Sequence, residues 1–419
     1  MDFEALETAV KAVVMSLGAS IAETCLNADD SDRRTNQIQC SCGQMAYYSG
    51  TRPRKLTTVV GDIQYKRAYY HCEQCNTGFF PKDQAMGLDS SAVSPGVVRM
   101  IGQVAGRESF AQSEILLYEL AALRVSEKQV ERSAERLGED ISDCERNDTE
   151  LESPAQKTMY MGVDGTGVAM IKSEIKGVKG KQADGGCKTR EMKVAAVWSC
   201  NRFDEHGHAL TDKDSVTYTA AIETASTADT DKELAAFAKR VEREALRRGY
   251  YDAEIQVAVG DGARWIWRLY SELFPHAVQI VDVWHAKEKI WDLSKLIYGK
   301  GTDTGKQWAE KTIEILKAGE IEKLIEIIQP HSSKHAEVKT AVGYFSRNKK
   351  RMRYAEFRAR GLSISSAVVE GACKNVIGAR LKRSGMRWSK AGANKIAALR
   401  ACIISNRFAD FLYKRASNS

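Results

Sequence analysis

The sequence predicts a soluble α/β protein with a mixed-sheet core, preceded by a cysteine-rich and helical N-terminal region. Three observations predict this class. The chain has 419 residues, 43% hydrophobic and 28% charged, which suits two or three packed domains and excludes a disordered chain. Strand-like apolar runs alternate with helical segments between residues 155 and 285. No run of 18 uninterrupted apolar residues occurs, so the sequence predicts no membrane span.

Residues 1–35 are predicted to form an N-terminal helix rather than a signal peptide. Asp2, Glu4 and Glu7 stand where a signal peptide requires positive charge, and Lys11 interrupts the apolar stretch. Six of the ten cysteines are isolated, as is usual for small buried hydrophobes in a reducing compartment. These six are Cys25, Cys144, Cys187, Cys200, Cys373 and Cys402. We therefore expect a cytoplasmic protein.

Residues 36–88 contain four cysteines with the spacing of a structural zinc site. Cys40 with Cys42 and Cys72 with Cys75 form two close pairs, separated by 29 residues. Four thiolates on two tight turns can supply the closed tetrahedral set that structural Zn²⁺ requires, which leaves no open position for catalysis. Strands are predicted at 45–48, 56–60 and 63–70, with a turn at 61–62. The pattern predicts a zinc-ribbon-like module, and coincidental spacing is the alternative.

Residues 89–150 are predicted to be helical. Helices are expected at 96–108 and 110–123, and a third begins after Ser126, a good N-cap residue, and ends at Gly138, a good residue for a helix end. Two short helices joined by a tight turn can form a helix-turn-helix whose second helix enters the major groove of DNA. An ordinary helical hairpin is the alternative reading. Polarity rises near Asp148, where we place a domain boundary.

Residues 155–285 carry the predicted sheet. The order is three strands, a helix, a strand, a helix and a strand, as in a ribonuclease-H-like mixed sheet. The strands are expected at 159–163, 192–199, 215–219, 254–259 and 277–281, and the helices at 232–248 and 264–274.

Two acidic residues directly follow apolar strands of this sheet. Asp164 ends the first strand and Asp261 ends the fourth, and ligand sites commonly form at the carboxyl ends of strands. Carboxylates gathered there repel one another unless they share a hard cation such as Mg²⁺, which takes oxygen ligands. Each of these residues is part of an Asp-Gly dipeptide, which is also a common turn signal.

The rest of the chain completes the core around an insertion. Residues 286–360 are predicted to be an all-helical insertion, and residues 361–419 to complete the core with a helix that begins near Ser365 or Ser366 and carries Glu370. Glu370 is the single acid between Arg358 and Ala409, which suits a carboxylate beside metal and phosphate. Lys374, four residues further on, makes an ordinary surface salt bridge the alternative.

Charge is unevenly distributed along the chain. The whole chain carries +7, yet residues 345–419 contain 18 Lys and Arg against three acids, a net charge of +15. Such an asymmetry favours a face that meets a polyanion, and nucleic acid is the expected partner. A solvated, Lys- and Arg-rich helical surface is the alternative.

At the level of motifs, the chain resembles DDE transposases of bacterial insertion sequences, specifically the ISKra type. The resemblance extends from about residue 40 to residue 410. It rests on the cysteine pairs and on the following stretches: Asp164-Gly-Thr-Gly167, Gly260-Asp-Gly-Ala-x-Trp265-Ile-Trp267, Ile280-Val-Asp-x-x-His285, Arg351-Met-Arg-Tyr-x-Glu-Phe-Arg358, Glu370-x-x-Cys-Lys374, Ile377-Gly-x-Arg-Leu-Lys382-x-Ser-Gly-Met-x-Trp388 and Gly392-Ala-Asn394.

The resemblance implies a metal-dependent enzyme that cleaves and joins DNA at the ends of an insertion sequence. Asp164, Asp261 and Glu370 would form the catalytic triad that binds two Mg²⁺ or Mn²⁺ ions, which supply in-line phosphodiester displacement. Asp282, which follows the next strand along the chain, is the alternative to Asp261 as the second acid of the triad. His285 would orient Asp282 or a phosphate, and a packed structural histidine is the alternative.

The partners implied are the terminal inverted repeats and target DNA, in a homodimer or larger synaptic assembly at the nucleoid. Basic residues and one tryptophan are expected to contact DNA, the tryptophan by stacking on an unpaired base unless it is a core residue. These residues are Lys374, Arg380, Lys382, Arg383, Arg387 and Trp388. A non-catalytic DNA-binding regulator and a nuclease that cuts without joining are the rival functions.

Overall fold

The computed structural model describes residues 2–33, 35–88, 91–148, 150–180, 185–225 and 234–417. The contacts between residues divide the chain into two compact units. The first unit is Met1–Leu137 with Asn406–Ser419, and the second is Gly138–Ser405. Each unit contains its own β-sheet.

The sheet of the first unit has four antiparallel strands in the order in which they follow along the chain. They are β1 (Gln37–Gln39), β2 (Met45–Thr58), β3 (Gly61–Cys72) and β4 (Thr77–Phe79). The long β2–β3 hairpin provides most of the pairing, and β1 and β4 pair with its open end. The cysteine pairs lie at this open end of the sheet, Cys40 after β1 and Cys72 at the end of β3.

The hairpin differs from the prediction in two ways. The strands expected at 45–48 and 56–60 are one strand, whose register shifts between Tyr48 and Thr51. Gly50 lies in that irregularity with a φ of +100°, a conformation that favours glycine and that concealed the continuity of the strand. The turn consists of Val59 and Val60 rather than of residues 61–62.

Helix α1 (Phe3–Ala28) confirms the predicted N-terminal helix and packs through its C-terminal half. Ala19, Ala22 and Leu26 contact a buried cluster that includes Ile63 and Tyr65 of the hairpin. Side chains of the helix also hydrogen-bond to the exposed edge of β3, because the carboxylate of Glu23 accepts a hydrogen bond from the amide of Gln64 at 2.9 Å.

Helix α1 also exposes a row of large apolar side chains, which begins at its N-terminus and extends to Ile21. These are Phe3, Leu6, Val10, Val13, Val14, Leu17 and Ile21. Among the described residues, the segment Phe3–Arg33 is the one stretch that is long and apolar enough to cross a membrane by length and composition. The core helix of a soluble protein and a signal sequence meet the same criterion.

The other helices of the first unit include the region predicted at residues 89–150. They are α2 (Pro81–Ala85), α3 (Pro95–Ala105), α4 (Phe110–Ala121), the first half of α5 (Glu127–Asn147) and α17 (Phe408–Ser417). The hydroxyl of Ser126 accepts a hydrogen bond from the amide of Gln129, which confirms Ser126 as the N-cap of α5. Helix α17 packs on α3, where the Phe408 ring occupies the space that a side chain at Gly102 would need.

The predicted end of α5 at Gly138 is wrong, since the helix continues to Asn147. The glycine is there for a different reason. A Cβ atom at Gly138 would lie 1.9 Å from the backbone oxygen of Lys395, so the glycine allows two helices of the second unit to approach closely.

The sheet of the second unit has five strands in the order β11-β10-β5-β6-β9. The strands are β5 (Thr158–Ala169), β6 (Thr189–Ser199), β9 (Thr217–Ala221), β10 (Ile255–Gly260) and β11 (Val278–Val281). Strands β5, β6 and β9 form an antiparallel meander, and β10 pairs in parallel with both β5 and β11. The five predicted core strands are therefore all present, and together they form a mixed sheet. A separate small hairpin consists of β7 (Arg202–Phe203) and β8 (Ala209–Leu210).

Aromatic residues fill the core beside this sheet. Tyr160 and Trp198 stack with ring centroids 5.4 Å apart on neighbouring strands. The buried hydroxyl of Tyr270 donates a hydrogen bond to the backbone oxygen of Val259 at 2.7 Å, which ties α8 to strand β10.

The helices of the second unit follow the predicted order. They are α6 (Lys172–Ile175), α7 (Ala236–Arg247), α8 (Arg264–Leu273), α9 (Val283–Tyr298), α10 (Asp303–Lys317), α11 (Ile321–Ile328), α12 (Ala336–Asn348), α13 (Tyr354–Ala359), α14 (Ala367–Ala372), α15 (Ala379–Leu381) and α16 (Lys390–Ile404). Residues 232–233 of the helix predicted at 232–248 lie outside the described residues. A π-helical segment, Cys373–Gly378, joins α14 to α15. The described residues from 286 to 360 contain helices and no strand, as expected of the predicted insertion.

Candidate functional site

Three acidic residues follow neighbouring strands of the five-stranded sheet. Asp261 comes directly after β10, and Asp282 comes directly after β11. Asp164 does not end its strand as predicted, since β5 continues to Ala169. Strand β10, however, pairs with β5 only as far as Gly162, so Asp164 lies just past the end of that parallel pairing. The register therefore brings the three residues to one edge of the sheet.

Asp164 is half-buried and uses both of its carboxylate oxygens. Oδ1 accepts a hydrogen bond from the amide of Gly165 at 2.7 Å, and Oδ2 accepts one from the thiol of Cys373 at 3.2 Å. Burial raises the pKa of Asp164, and the negative charge of Asp261 raises it further, despite these hydrogen bonds. A buried carboxylate beside a second one is an environment in which a bound cation is favoured.

Asp261 lies in a tight turn that is braced by the helical insertion. Its Oδ1 accepts a hydrogen bond from the amide of Ala263 at 2.7 Å. The hydroxyl of Tyr344, from α12, donates to the backbone oxygen of Asp261 at 3.0 Å. Gly262 has a φ of +97°, and a Cβ atom there would lie 2.4 Å from the Tyr344 ring. The turn at Asp261 therefore requires this glycine.

Asp282 has a different environment, because it caps a helix. Its side chain is 2% exposed, and Oδ1 accepts hydrogen bonds from the amides of Trp284 at 2.7 Å and His285 at 3.0 Å. Oδ2 accepts a hydrogen bond from the amide of Ser366. Burial alone would raise the pKa of Asp282, but hydrogen bonds from His285 and Ser366 outweigh it and lower the pKa. Both oxygens are thus engaged by protein donors.

His285 lies beside the acidic edge. Its Nδ1 is 3.5 Å from Oδ1 of Asp282, and its imidazole is half-buried. The neighbouring carboxylate of Asp282 raises the pKa of His285, against the opposing effect of burial, and the charge of Asp261 adds to the increase. The ring therefore tends to be protonated at a higher pH than an isolated histidine.

Glu370 lies on the helix that covers this edge, but its carboxylate does not join the other acids. Helix α14 packs on the sheet where Val369 faces Gly162. The exposed Glu370 carboxylate accepts a hydrogen bond from the ammonium of Lys374 at 2.6 Å. Within the described parts of the chain, Asp164, Asp261 and Glu370 do not bring their carboxylate oxygens to within 4.8 Å of one another.

The predicted DNA-binding residues divide into an exposed and a buried set. Lys374, Lys382 and Arg387 are exposed, and Arg383 is partly so. The ammonium of Lys382 donates to the hydroxyl of Thr166 at 2.8 Å, two residues along β5 from Asp164. The structure thus places one of the predicted phosphate contacts beside the acidic edge.

Arg380 and Trp388 are buried, which corrects the expectation that they contact DNA directly. The Arg380 guanidinium is 0% exposed and lies 5.2 Å from the centre of the Trp388 ring. The indole of Trp388 donates to the backbone oxygen of Leu381 at 3.0 Å. The backbone of Trp388 also pairs with the end of β5, through the oxygen of Ala169. In this structure the backbone of Trp388 joins the basic segment to the sheet, and the two buried side chains pack within that segment.

The four paired cysteines form a cluster in the first unit. Their Sγ atoms all lie within 4.8 Å of one another, with Cys40 3.6 Å from Cys75 and Cys42 3.7 Å from Cys72. A tetrahedral Zn²⁺ site with Zn–S bonds of about 2.3 Å requires sulfur atoms about 3.8 Å apart. All four are free thiols. The cluster can therefore bind zinc, as the sequence predicted.

The thiols of the cluster influence one another's protonation. A hydrogen bond from Thr77, together with hydrogen bonds from the other three thiols, lowers the pKa of Cys75 to about 6. Thiolates are the form that binds metal, so the cluster has a ready first ligand at neutral pH.

A family model described as "Uncharacterised protein family (UPF0236)" matches residues 1–407. The chain belongs to this family. No curated protein matches this UPF0236 chain. Among solved structures, the Drosophila P element transposase strand transfer complex is similar over 81% of this chain and 84% of that chain, at 12% identity and a TM-score of 0.26.

Two residues of this UPF0236 site, Cys373 and Tyr344, are not among the predicted site residues. Cys373 is one of the six isolated cysteines, although its position three residues after Glu370 places both on one side of a helix. Ser366 stands at the predicted start of α14, and its amide also donates to Asp282. The contact of Tyr344 with Asp261 could not be predicted, because nothing local in the sequence indicates that the insertion folds back onto Asp261.

Proposed function

We propose that this protein is a DNA transposase with a ribonuclease-H-like core that cleaves and joins DNA in a metal-dependent reaction. The observation that carries the proposal is the position of Asp164 and Asp261 at one edge of a sheet with the strand order β11-β10-β5-β6-β9. Ligands commonly bind at the carboxyl ends of strands in α/β sheets. The resemblance of the motifs to DDE transposases supports the same function.

The residues of the edge suit a divalent cation that takes oxygen ligands. Asp164, Asp261 and Glu370 would hold Mg²⁺ or Mn²⁺, and two such ions stabilise the attacking and leaving oxygens of a phosphodiester displacement. The raised pKa of Asp164 supports this assignment, because a cation offsets the cost of a buried negative charge. Asp282 and His285 would act as positioning residues that hold the start of α9 against the edge.

The basic residues near the edge would hold the DNA. Lys374, Lys382, Arg383 and Arg387 would contact phosphates, and Lys382 is the nearest of the four to Asp164 along β5. The cysteine cluster would hold a structural Zn²⁺. The DNA would be the terminal inverted repeats and the target, in a dimeric or larger assembly at the nucleoid.

One observation favours a second candidate, a DNA-binding regulator without catalytic activity. The Glu370 carboxylate is paired with Lys374, and among the described residues it does not form one cluster within 4.8 Å with the two aspartates. If this arrangement persists in solution with metal present, the triad does not assemble. The protein would then bind DNA through its basic residues without cleaving it.

A cleavage and strand-transfer assay with labelled terminal inverted repeats distinguishes the transposase from the non-catalytic regulator. We expect Asp164→Ala, Asp261→Ala and Glu370→Ala each to abolish Mg²⁺- or Mn²⁺-dependent cleavage and joining while end binding survives. Asp292→Ala, which removes an exposed acid of α9, is the matched control and should cleave normally. Parental protein that binds but neither cuts nor joins would establish the regulator. Cutting without joining would establish a nuclease.

A further inference from the structure

A large cavity in the first unit is lined by none of the candidate metal-binding or DNA-binding residues described above. It has a volume of about 1110 Å³ and is bordered by α3, the first half of α5, α17, the end of α2 with the two residues that follow it (84–87), and residues 91–93. All of these elements belong to the same compact unit. Helix α3 contributes Pro95 and Gly96 of its first turn, where a helix presents its partial positive charge.

The described residues that line this cavity carry positive charge only. The cationic ones are Arg99, Lys128, Arg132, Arg136 and Arg415. Arg99, Lys128, Arg132 and Arg136 are exposed to solvent, and Lys128 also pairs with Glu131, which is not part of the lining. No acidic and no aromatic residue is found among the described lining residues. A cavity of this charge concentrates anions.

The cations on α5 are regularly spaced. Lys128, Arg132 and Arg136 follow one another at intervals of four residues, which is about 6 Å along an α-helix. Gln129 and Ser133 lie between them, Ser126 precedes them, and all three belong to the same lining and add neutral hydrogen-bond donors. A row of about 12 Å spans three to four nucleotides of a DNA strand, which rises about 3.4 Å per nucleotide. Arg, Lys, Ser and Gln side chains are common phosphate contacts in DNA complexes.

We propose that this cavity, the α5 cleft, binds the phosphate backbone of one DNA strand. The choice of DNA as the polyanion rests on the proposed function, whereas the preference for repeated phosphates rests on the spacing of the cations. The lack of aromatic residues in the described lining means that bases are not stacked there, so binding is independent of sequence. In a helix-turn-helix, the second helix would enter a major groove. In the proposed binding mode, the basic face of α5 instead forms one wall of a cavity and contacts the phosphates of one strand.

The test compares salt dependence in the full-length protein. The triple variant Arg99→Gln, Lys128→Gln, Arg132→Gln removes three charges that face the α5 cleft. Fluorescence anisotropy measures the Kd for end-sequence and scrambled duplexes over a series of NaCl concentrations. We expect the slope of log Kd against log salt to fall by two to three units, at about 0.9 per lost phosphate contact, equally for both sequences.

A matched control keeps the loss of net charge the same. The variant Lys306→Gln, Lys311→Gln, Lys323→Gln removes three exposed lysines from α10 and α11 and should leave the slope within half a unit of the parent. Thermal unfolding of both variants at the parental temperature shows that the fold is retained. Inorganic tripolyphosphate, added as a competitor, tests a small anion as the ligand.

Each result decides the proposal. An unchanged slope in the cleft variant overturns it, as does an equal decrease in the control. Tripolyphosphate that binds the parent as tightly as DNA, and not the cleft variant, would assign the cleft to a small polyphosphate and overturn the DNA assignment. If the cleft variant keeps its slope while Asp164→Ala loses cleavage, the inference fails alone. If the slope falls as expected while the parent never cleaves, the proposed function fails and the cleft stands.

Discussion

Replacement of Asp282 by alanine should destabilise the protein, whereas replacement of Asp261 should mainly remove activity. Asp282 is 2% exposed and accepts three backbone hydrogen bonds, from Trp284, His285 and Ser366. Loss of a helix N-cap costs about 0.5–2 kcal/mol. The amide of Ser366, a buried residue, would lose its partner at a further cost of about 1–3 kcal/mol. The free energy of unfolding should therefore fall by about 1.5–5 kcal/mol.

Two measurements on the same proteins test this reasoning. Urea unfolding gives the stability, and Mn²⁺-dependent cleavage of an end duplex gives the activity. Asp282→Asn, which keeps an acceptor oxygen at the cap, should recover more than half of the stability lost in Asp282→Ala. Asp261 accepts one backbone hydrogen bond, so Asp261→Ala should unfold close to the parent yet fail to cleave.

The contribution of Asp282 to the stability of the folded protein should decrease as the pH falls. Its pKa in the folded protein is lowered, since hydrogen bonds from His285 and Ser366 outweigh burial. A lowered pKa contributes stability above the unfolded value of about 3.9, and that contribution is lost as the pH falls through the folded value. The difference in stability between the parent and Asp282→Asn should therefore shrink below about pH 4. An Asp282→Ala protein that unfolds like the parent but no longer cleaves, beside an active Asp261→Ala protein, would refute this division of roles.

Three further predictions concern other parts of the chain. Elemental analysis should find about one Zn per chain in the parent and much less in Cys72→Ser, and a folded parent without zinc would contradict the zinc assignment. Neutralising Lys382 and Arg383 together should weaken DNA binding at every sequence and lower the salt slope by about one unit per lost contact, whereas a solvated helix face would leave it unchanged. Gly138→Ala, whose Cβ would overlap a backbone oxygen of α16, should cost about 1–3 kcal/mol in urea unfolding. Gly371→Ala, which has open space, should cost nothing.

The order of elements in the second unit could be predicted from the sequence, because each core strand is a short apolar run between turn signals. The N-cap at Ser126 and the cysteine cluster could be predicted as well, because side-chain type and spacing determine both of them locally. The errors have tertiary causes. Gly138 is a good residue for a helix end, and its presence inside α5 is explained by the backbone of Lys395, which lies far away along the chain. No local pattern contains that information.

The burial of two members of the predicted DNA-binding set also has a tertiary cause that the local sequence does not reveal. Arg380 and Trp388 occur among exposed basic residues, and charge alone does not separate a guanidinium that faces solvent from one that lies against a ring. Their burial follows from the pairing of Trp388 with the end of β5. The pairing anchors the segment that carries Lys382, so the buried residues position the exposed ones.

The same local pattern, an aspartate directly after a strand, thus leads to two different environments at this edge. After β11 the chain enters a helix, whose first amides point at Asp282 and engage one of its oxygens, while Ser366 engages the other. After β10 the chain makes a turn through Gly262 at a φ of +97°, and within that turn Asp261 accepts a hydrogen bond from Ala263. A carboxylate that caps a helix has its oxygens committed, whereas one in a glycine turn retains capacity for a cation. The residue that follows the aspartate, and not the aspartate itself, therefore favours Asp261 over Asp282 as the partner of Asp164.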